Sequence, residues 1–225
     1  KQQHWSPLTS SSFNNFPNCG GQRQSPINIV THRVKHDPKL TSFIFEGHEK
    51  VFNMSLPATY KAVQFHLHWG ENGGQGSEHS VDGERYPMEL HIVHIKEKHG
   101  SLGEALNDST GVAALAFFFE VLMPLVIEAL GKVRYEGELT DIIPQANKLN
   151  YYRYSGSLTT PGCDQAVVWT VFQQSLPISK NQVERLFLLR INQTEIKMLV
   201  NTDYNHQYLN LELKQDTIGN IIFLP

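Results

Sequence analysis

From residue 61 to residue 69 the chain alternates. Val63, Phe65 and Leu67 are apolar, and Gln64, His66 and His68 occupy the positions between them. A period of two belongs to a strand with one face turned to a core. Residues 88–95 carry a second strand, with Glu89, His91 and Val93 on one face. Residues 112–121 are an unbroken apolar run between Gly111 and the Met123-Pro124 break, which suits a strand buried on both faces. Residues 40–45, 167–172, 197–200 and 218–224 read as further strands. Helical patterns are short: 125–130 before the stop at Gly131, a turn or two over 141–149, and an amphipathic stretch over 182–189. Residues 1–24, rich in Ser, Asn, Gly and Pro, read as an irregular surface arm, and 70–76 as a glycine-rich turn. The fold class expected is mostly β with short peripheral helices. No repeat or linker divides the chain, so 1–225 reads as one domain.

The histidines change the picture. Residues two apart on a strand face lie about 6.8 Å apart. His66 and His68 can therefore converge on one ion with bonds of about 2.0–2.1 Å. A neighbouring strand could bring His91 to the same point, although spacing alone does not choose among His79, His91, His94 and His99. Three neutral nitrogens with one open position make a catalytic zinc site rather than a structural one. The plainer alternative is a pair of solvated or hydrogen-bonded histidines. Two of them inside an apolar strand, however, each leave a polar group to satisfy in a buried place. Gln64 and Glu89, each two residues before a candidate ligand on its own face, suit the acceptors that fix imidazole tautomers. They could equally be polar residues on a solvated sheet face.

Composition narrows the partners. A net charge of −3 over 225 residues gives no electrostatic reason to expect nucleic acid or an anionic membrane. The stretch 111–131 is the only candidate membrane span, and Glu120, Pro124 and Glu128 interrupt it; no transmembrane segment is expected. Cys19 and Cys163 are two buried thiols or one disulfide, and their separation does not decide. Sequons at Asn53, Asn107 and Asn192 tilt the reading towards an exported protein, in which the cysteines would pair.

Five blocks carry a resemblance. They are Gln24-Ser25-Pro26-Ile27-Asn28-Ile29, Gln64-Phe65-His66-Leu67-His68-Trp69-Gly70, Gly76-Ser77-Glu78-His79-Ser80-Val81-Asp82-Gly83, Glu89-Leu90-His91-Ile92-Val93-His94 and Gly156-Ser157-Leu158-Thr159-Thr160-Pro161. In order and spacing they resemble the α-class carbonic anhydrases. The contexts of Cys19 and Cys163 resemble the secreted and membrane-associated branch. That resemblance implies a disulfide between them and an extracellular or cell-surface location. It also implies a large, mainly antiparallel twisted central sheet. Zinc would be held by His66, His68 and His91, with Gln64 and Glu89 behind them, and His94 excluded on the other face. The implied reaction is reversible hydration of carbon dioxide to bicarbonate by zinc-bound hydroxide. Zinc lowers the pKa of bound water from 15.7 to about 7, a figure whose standard example is carbonic anhydrase itself. Thr159 would accept a hydrogen bond from the hydroxide and donate its own proton to Glu78. Val93, Leu158, Val167 and Trp169 would form the wall for carbon dioxide, made roomier by Ala114 where the family carries valine. Thr160 would face substrate and sulfonamide-type inhibitors.

The chain also departs from the family. A strand bearing an Asn-Asn-Gly-His element, whose histidine shuttles protons, is missing before Leu56, and a second shortening lies near 121–123. The N-terminal aromatic cluster is mostly missing, and residues 201–225 diverge. Such deletions would expose backbone edges and leave proton transfer to buffer or to a makeshift donor, for which His48 is a candidate. A competing reading follows: a carbonic-anhydrase-like zinc-binding protein with weak or no turnover. A cupin-type oxygenase also uses His-x-His, but it needs a carboxylate shortly after the pair, and Glu71 sits in the glycine turn.

Overall fold

The computed structural model describes residues 16–46, 50–52, 55–70, 74–122, 150–179, 196–199, 210–215 and 221–223. Thirteen strands run through these residues: β1 (Asn28–Ile29), β2 (Ile44–Glu46), β3 (Lys50–Phe52), β4 (Tyr60–Trp69), β5 (Ser80–Val81), β6 (Met88–Lys96), β7 (Val112–Leu122), β8 (Tyr151–Gly156), β9 (Val167–Phe172), β10 (Leu176–Ser179), β11 (Ile196–Leu199), β12 (Asn210–Gln215) and β13 (Ile221–Phe223). Eleven form one sheet in the order β11-β12-β13-β4-β6-β7-β9-β8, with β3 and β2 added beside β4 and β10 beside β7. The pairing is mainly antiparallel; β9 and β10 run parallel to β7. The short strands β1 and β5 make a separate parallel pair.

Alternation along β4 and β6 becomes two faces. His66 stands opposite His91, and His68 opposite Glu89. The next strands continue that face with Ala116 beside His91, Ala114 beside Val93, and Trp169 beside Ala114. Val93, Ala114, Ala116, Phe118, Val167, Trp169 and Val171 pack together there. The other face buries Leu90, Ile92, Leu115, Phe117 and Phe172 against Phe43 and Tyr60. Phe117 and Phe172 stack at 4.3 Å, and burying each such ring contributes about 1.5–3 kcal/mol. Val112 to Phe118 are all buried, as an apolar run without alternation predicts.

Some elements differ from the sequence reading. The strand expected over 40–45 shortens to β2, because Thr41 instead accepts a hydrogen bond from the Tyr151 hydroxyl at 2.7 Å. Strands β8, β10 and β12 were not legible. In β8, Tyr-Tyr-Arg-Tyr puts polar atoms on both faces. Pro177 argues against a strand at β10, yet among the described residues that strand pairs with β7 alone, an edge position that tolerates proline. One helical turn, α1 (Leu102–Ala105), begins at Ser101, whose Oγ accepts from Glu104 N at 3.2 Å. The helices expected over 125–130, 141–149 and 182–189 lie outside the described residues. No helix among the described residues is long and apolar enough to cross a membrane.

The arm from residue 16 to residue 25 is irregular apart from a 3-10 turn (Pro17–Gly20) and is tied down along its length. Cys19 is disulfide-bonded to Cys163 across 144 residues. Asn18 donates to Asp164 Oδ1 at 3.0 Å, and Arg23 donates to Gln165 O at 2.9 Å. Ser25 N and Ser157 N each donate to the other residue's hydroxyl, at 2.9 and 3.1 Å. A Cβ at Gly156 would collide with Ser25 Oγ and the Tyr154 ring, so only glycine lets the arm lie this close.

Candidate metal centre

The register of β4 against β6 builds the centre. His66 Nε2 lies 3.2 Å from His91 Nδ1, and His68 Nε2 lies 3.1 Å from the same atom. All three ligand atoms fall within 4.8 Å of one another, and all three residues are buried. Ligands at about 2.05 Å around a tetrahedral zinc stand about 3.3 Å apart, so the donor set fits such an ion. Of the four third-ligand candidates, His91 is the one that the fold brings to His66 and His68 among the described residues. His79 turns to Glu89, His99 lies 3.4 Å from Asp108, and His94 is on the other face.

Charge and tautomer also suit a cation. Burial, then the neighbouring His91 and His68 rings, hold His66 well below the usual imidazole range. Burial likewise lowers His68, against the pull of the Glu78 carboxylate. For His91 burial is outweighed by the Glu89 charge and hydrogen bond, which carry it above its ordinary value. Burial pushes Glu89 up, but His79 and His91 outweigh it and hold the carboxyl well below the usual range. Glu89 Oε1 lies 2.7 Å from His91 Nε2. An ionised carboxylate can only accept, so in the neutral ring the His91 proton sits on Nε2 and the Nδ1 lone pair faces the cluster.

Sequence reasoning missed what supports Glu89. His79 Nδ1 lies 2.5 Å from Glu89 Oε1, while Glu89 Oε2 accepts from Glu78 N at 2.7 Å and His79 N at 2.9 Å. Beyond it, the Tyr154 hydroxyl lies 2.7 Å from His79 Nε2 and 2.9 Å from Ser25 Oγ. A chain of polar contacts thus runs from His91 to the N-terminal arm. The sequence clue was His79 beside Glu78, there considered only as a ligand.

Other expected residues are placed less simply. His66 Nδ1 is buried without a partner, so Gln64 does not serve as its acceptor in this structure. A register irregularity falls between Ala62 and Gln64, and bulges re-aim the side chains beside them. Glu78 Oε2 is buried and without a donor, 3.5 Å from His68 Nε2 and 3.9 Å from His91 Nδ1; Thr159 does not reach it here. Thr159 and Thr160 occupy the loop after β8, which is closed by Leu158 N on Asp164 O at 3.0 Å and Cys163 N on Thr160 O at 3.1 Å. Val93, Val167 and Trp169 are buried on the histidine face, with Leu158 packed against them. The Trp169 and His91 rings meet edge to face at 4.8 Å. His48 lies outside the described residues.

His94 has a different consequence. Its Nδ1 lies 3.1 Å from Ile92 O, its Nε2 has no hydrogen-bond partner among the described residues, and burial pushes its pKa down to about 4. An unfolded imidazole titrates near pH 6.5, so the unfolded chain takes up the proton first. His94 thus leaves stability intact above about pH 6.5 and removes up to about 3 kcal/mol as the pH falls towards 4. Urea midpoints at about pH 7 and about pH 4.5 should differ less in His94→Gln than in the parent. Identical differences would refute this origin of acid sensitivity.

Comparison with known proteins agrees with this geometry. The family model described as eukaryotic-type carbonic anhydrase matches residues 1–57 and 50–210. Carbonic anhydrase 4 of Rattus norvegicus is 40% identical over 202 residues, covering 73% of this chain and 65% of that protein. Carbonic anhydrase 6 of Bos taurus is 35% identical over 210 residues, covering 76% and 66%. Carbonic anhydrase 3 of Homo sapiens is 31% identical over 218 residues, covering 81% of each. The chain therefore spans just under two thirds of the length of the rat and bovine relatives. Matches of that extent, over the stretch that carries every histidine of the cluster, place the chain in the eukaryotic-type carbonic anhydrase family.

Proposed function

We propose that the chain is a zinc enzyme that reversibly hydrates carbon dioxide to bicarbonate and a proton. The observation that carries this reading is the meeting of His66 Nε2, His68 Nε2 and His91 Nδ1 in one buried place. Zinc held by these residues supplies a Lewis acid and a hydroxide nucleophile at neutral pH. The remaining work falls to the chain. Glu89 accepts the His91 Nε2 proton and keeps the Nδ1 lone pair turned inward. Val93, Leu158, Val167 and Trp169 offer an apolar wall to an uncharged linear substrate, with Ala114 leaving it room. Thr159 would orient the nucleophile once its hydroxyl closes on Glu78, whose Oε2 is buried and without a donor among the described residues. Thr160 meets incoming substrate and sulfonamide-type inhibitors. An extracellular setting is supported by the Cys19–Cys163 disulfide and by the exposed sequon asparagine Asn107.

Stopped-flow hydration by zinc-loaded protein, with and without imidazole buffer, tests the proposal. Turnover that rises with buffer supports an enzyme lacking its own proton shuttle. No turnover in either condition overturns the reading and leaves a zinc-binding protein. Glu78→Gln should keep its zinc and hydrate about a hundredfold more slowly, the scale of losing one positioning contact. Parallel loss of zinc and rate would contradict that role.

A further inference from the structure

Residues 31–39, Thr-His-Arg-Val-Lys-His-Asp-Pro-Lys, are all exposed. Thr31–Arg33 is a 3-10 turn, and Val34 follows in extended conformation with 47% of its surface open to solvent. Asp37, the segment's one carboxylate, accepts from Lys39 N at 2.9 Å and so helps shape the following turn. Arg33, Lys35 and Lys39 have no carboxylate within ion-pair distance among the described residues. Other described cations are engaged: Lys96 and Lys98 both contact Asp108, and Arg23 holds Gln165 O; Lys61 on β4 is an exception. Three unpaired cations thus lie within about 20 Å of chain, on a protein whose net charge is negative. Averaging over the whole sequence hides this strip.

We propose that residues 31–39 bind a sulfated polysaccharide chain. A linear polyanion meets cations spread along an exposed segment and relieves their mutual repulsion. A membrane surface fits less well, because juxtamembrane electrostatic anchors use clusters of 4–8 Lys or Arg and this strip has three. Nucleic acid is not the polyanion of the oxidising setting that the disulfide implies. The choice of polyanion rests on the extracellular reading, whereas binding is measured on purified protein and fails or succeeds separately from secretion.

Immobilised heparin is the probe. The parent protein should be retained at about 0.15 M salt, where weak surface charge effects are largely screened. It should pass through a sulfopropyl resin at the same salt. The triple variant Arg33→Ser, Lys35→Ser, Lys39→Ser should bind heparin about tenfold more weakly or worse, and each single variant should elute earlier than the parent. These positions are exposed, and circular dichroism of the triple variant checks that the fold survives. Parent protein that fails to bind heparin at that salt overturns the proposal. So does equal retention of parent and triple variant, equal retention on the sulfopropyl resin, or binding to phosphatidylserine vesicles without binding to heparin.

Discussion

His91→Ala protein, purified and dialysed, is expected to carry no zinc. The substitution removes the nitrogen that both other histidines face, at 3.1 and 3.2 Å. Two imidazoles remain, which is one protein ligand fewer than catalytic zinc sites use. The loss should exceed the 10–100-fold that removing an outer hydrogen-bond partner costs, which is the effect expected of Glu89→Gln. The damage extends beyond the metal. Glu89 is wholly buried and would keep only His79 and two backbone N–H groups as partners, a change worth about 1–3 kcal/mol of stability. Zinc content by atomic emission, with chelator competition for affinity, measures the first effect, and urea unfolding of metal-free protein the second. Stoichiometric zinc at undiminished affinity in His91→Ala would place the metal elsewhere.

Removing the Cys19–Cys163 bridge should cost about 5 kcal/mol, because it closes a loop of 144 residues. For a protein of this size that lowers the thermal midpoint by about 10–20 °C. The arm's remaining contacts are a few hydrogen bonds, several of them exposed. Once the bridge opens they hold the arm against ordinary thermal motion alone. Calorimetry of the Cys19→Ser, Cys163→Ser protein against the oxidised parent reads the shift. An unchanged midpoint would show that the arm is held without the bridge.

How far the sequence was readable depended on the interaction concerned. Period-two alternation and an unbroken apolar run are local properties, so β4, β6 and β7 could be placed to within a residue or so of their observed ends. Pairing is not local. That β7 receives β9 and β10 in parallel, rather than by hairpins, depends on segments distant in the chain. The same holds for the centre. His66 and His68 identify each other through their spacing, but the choice of His91 over His79 needs the register that puts His66 opposite it. The role of His79 is set by how residues 77–80 turn back onto Glu89, which its place beside Glu78 in the sequence does not specify. The Cys19–Cys163 pairing came from resemblance, since any separation is compatible with a bridge. Half-buried ion pairs such as Lys96 with Asp108 were invisible for the same reason.

The three donors belong to neighbouring antiparallel strands and span residues 66 to 91. Trp169, whose ring meets that of His91 edge to face, comes from a strand reached only 78 residues later. Bringing that wall into place costs about 1 kcal/mol more loop entropy than joining the donors, and it awaits a much later part of synthesis. The donor set can therefore assemble on two neighbouring strands before the wall that encloses it. The enclosure is completed afterwards, when the distant strand arrives and oxidation ties the Thr159 loop to the N-terminal arm.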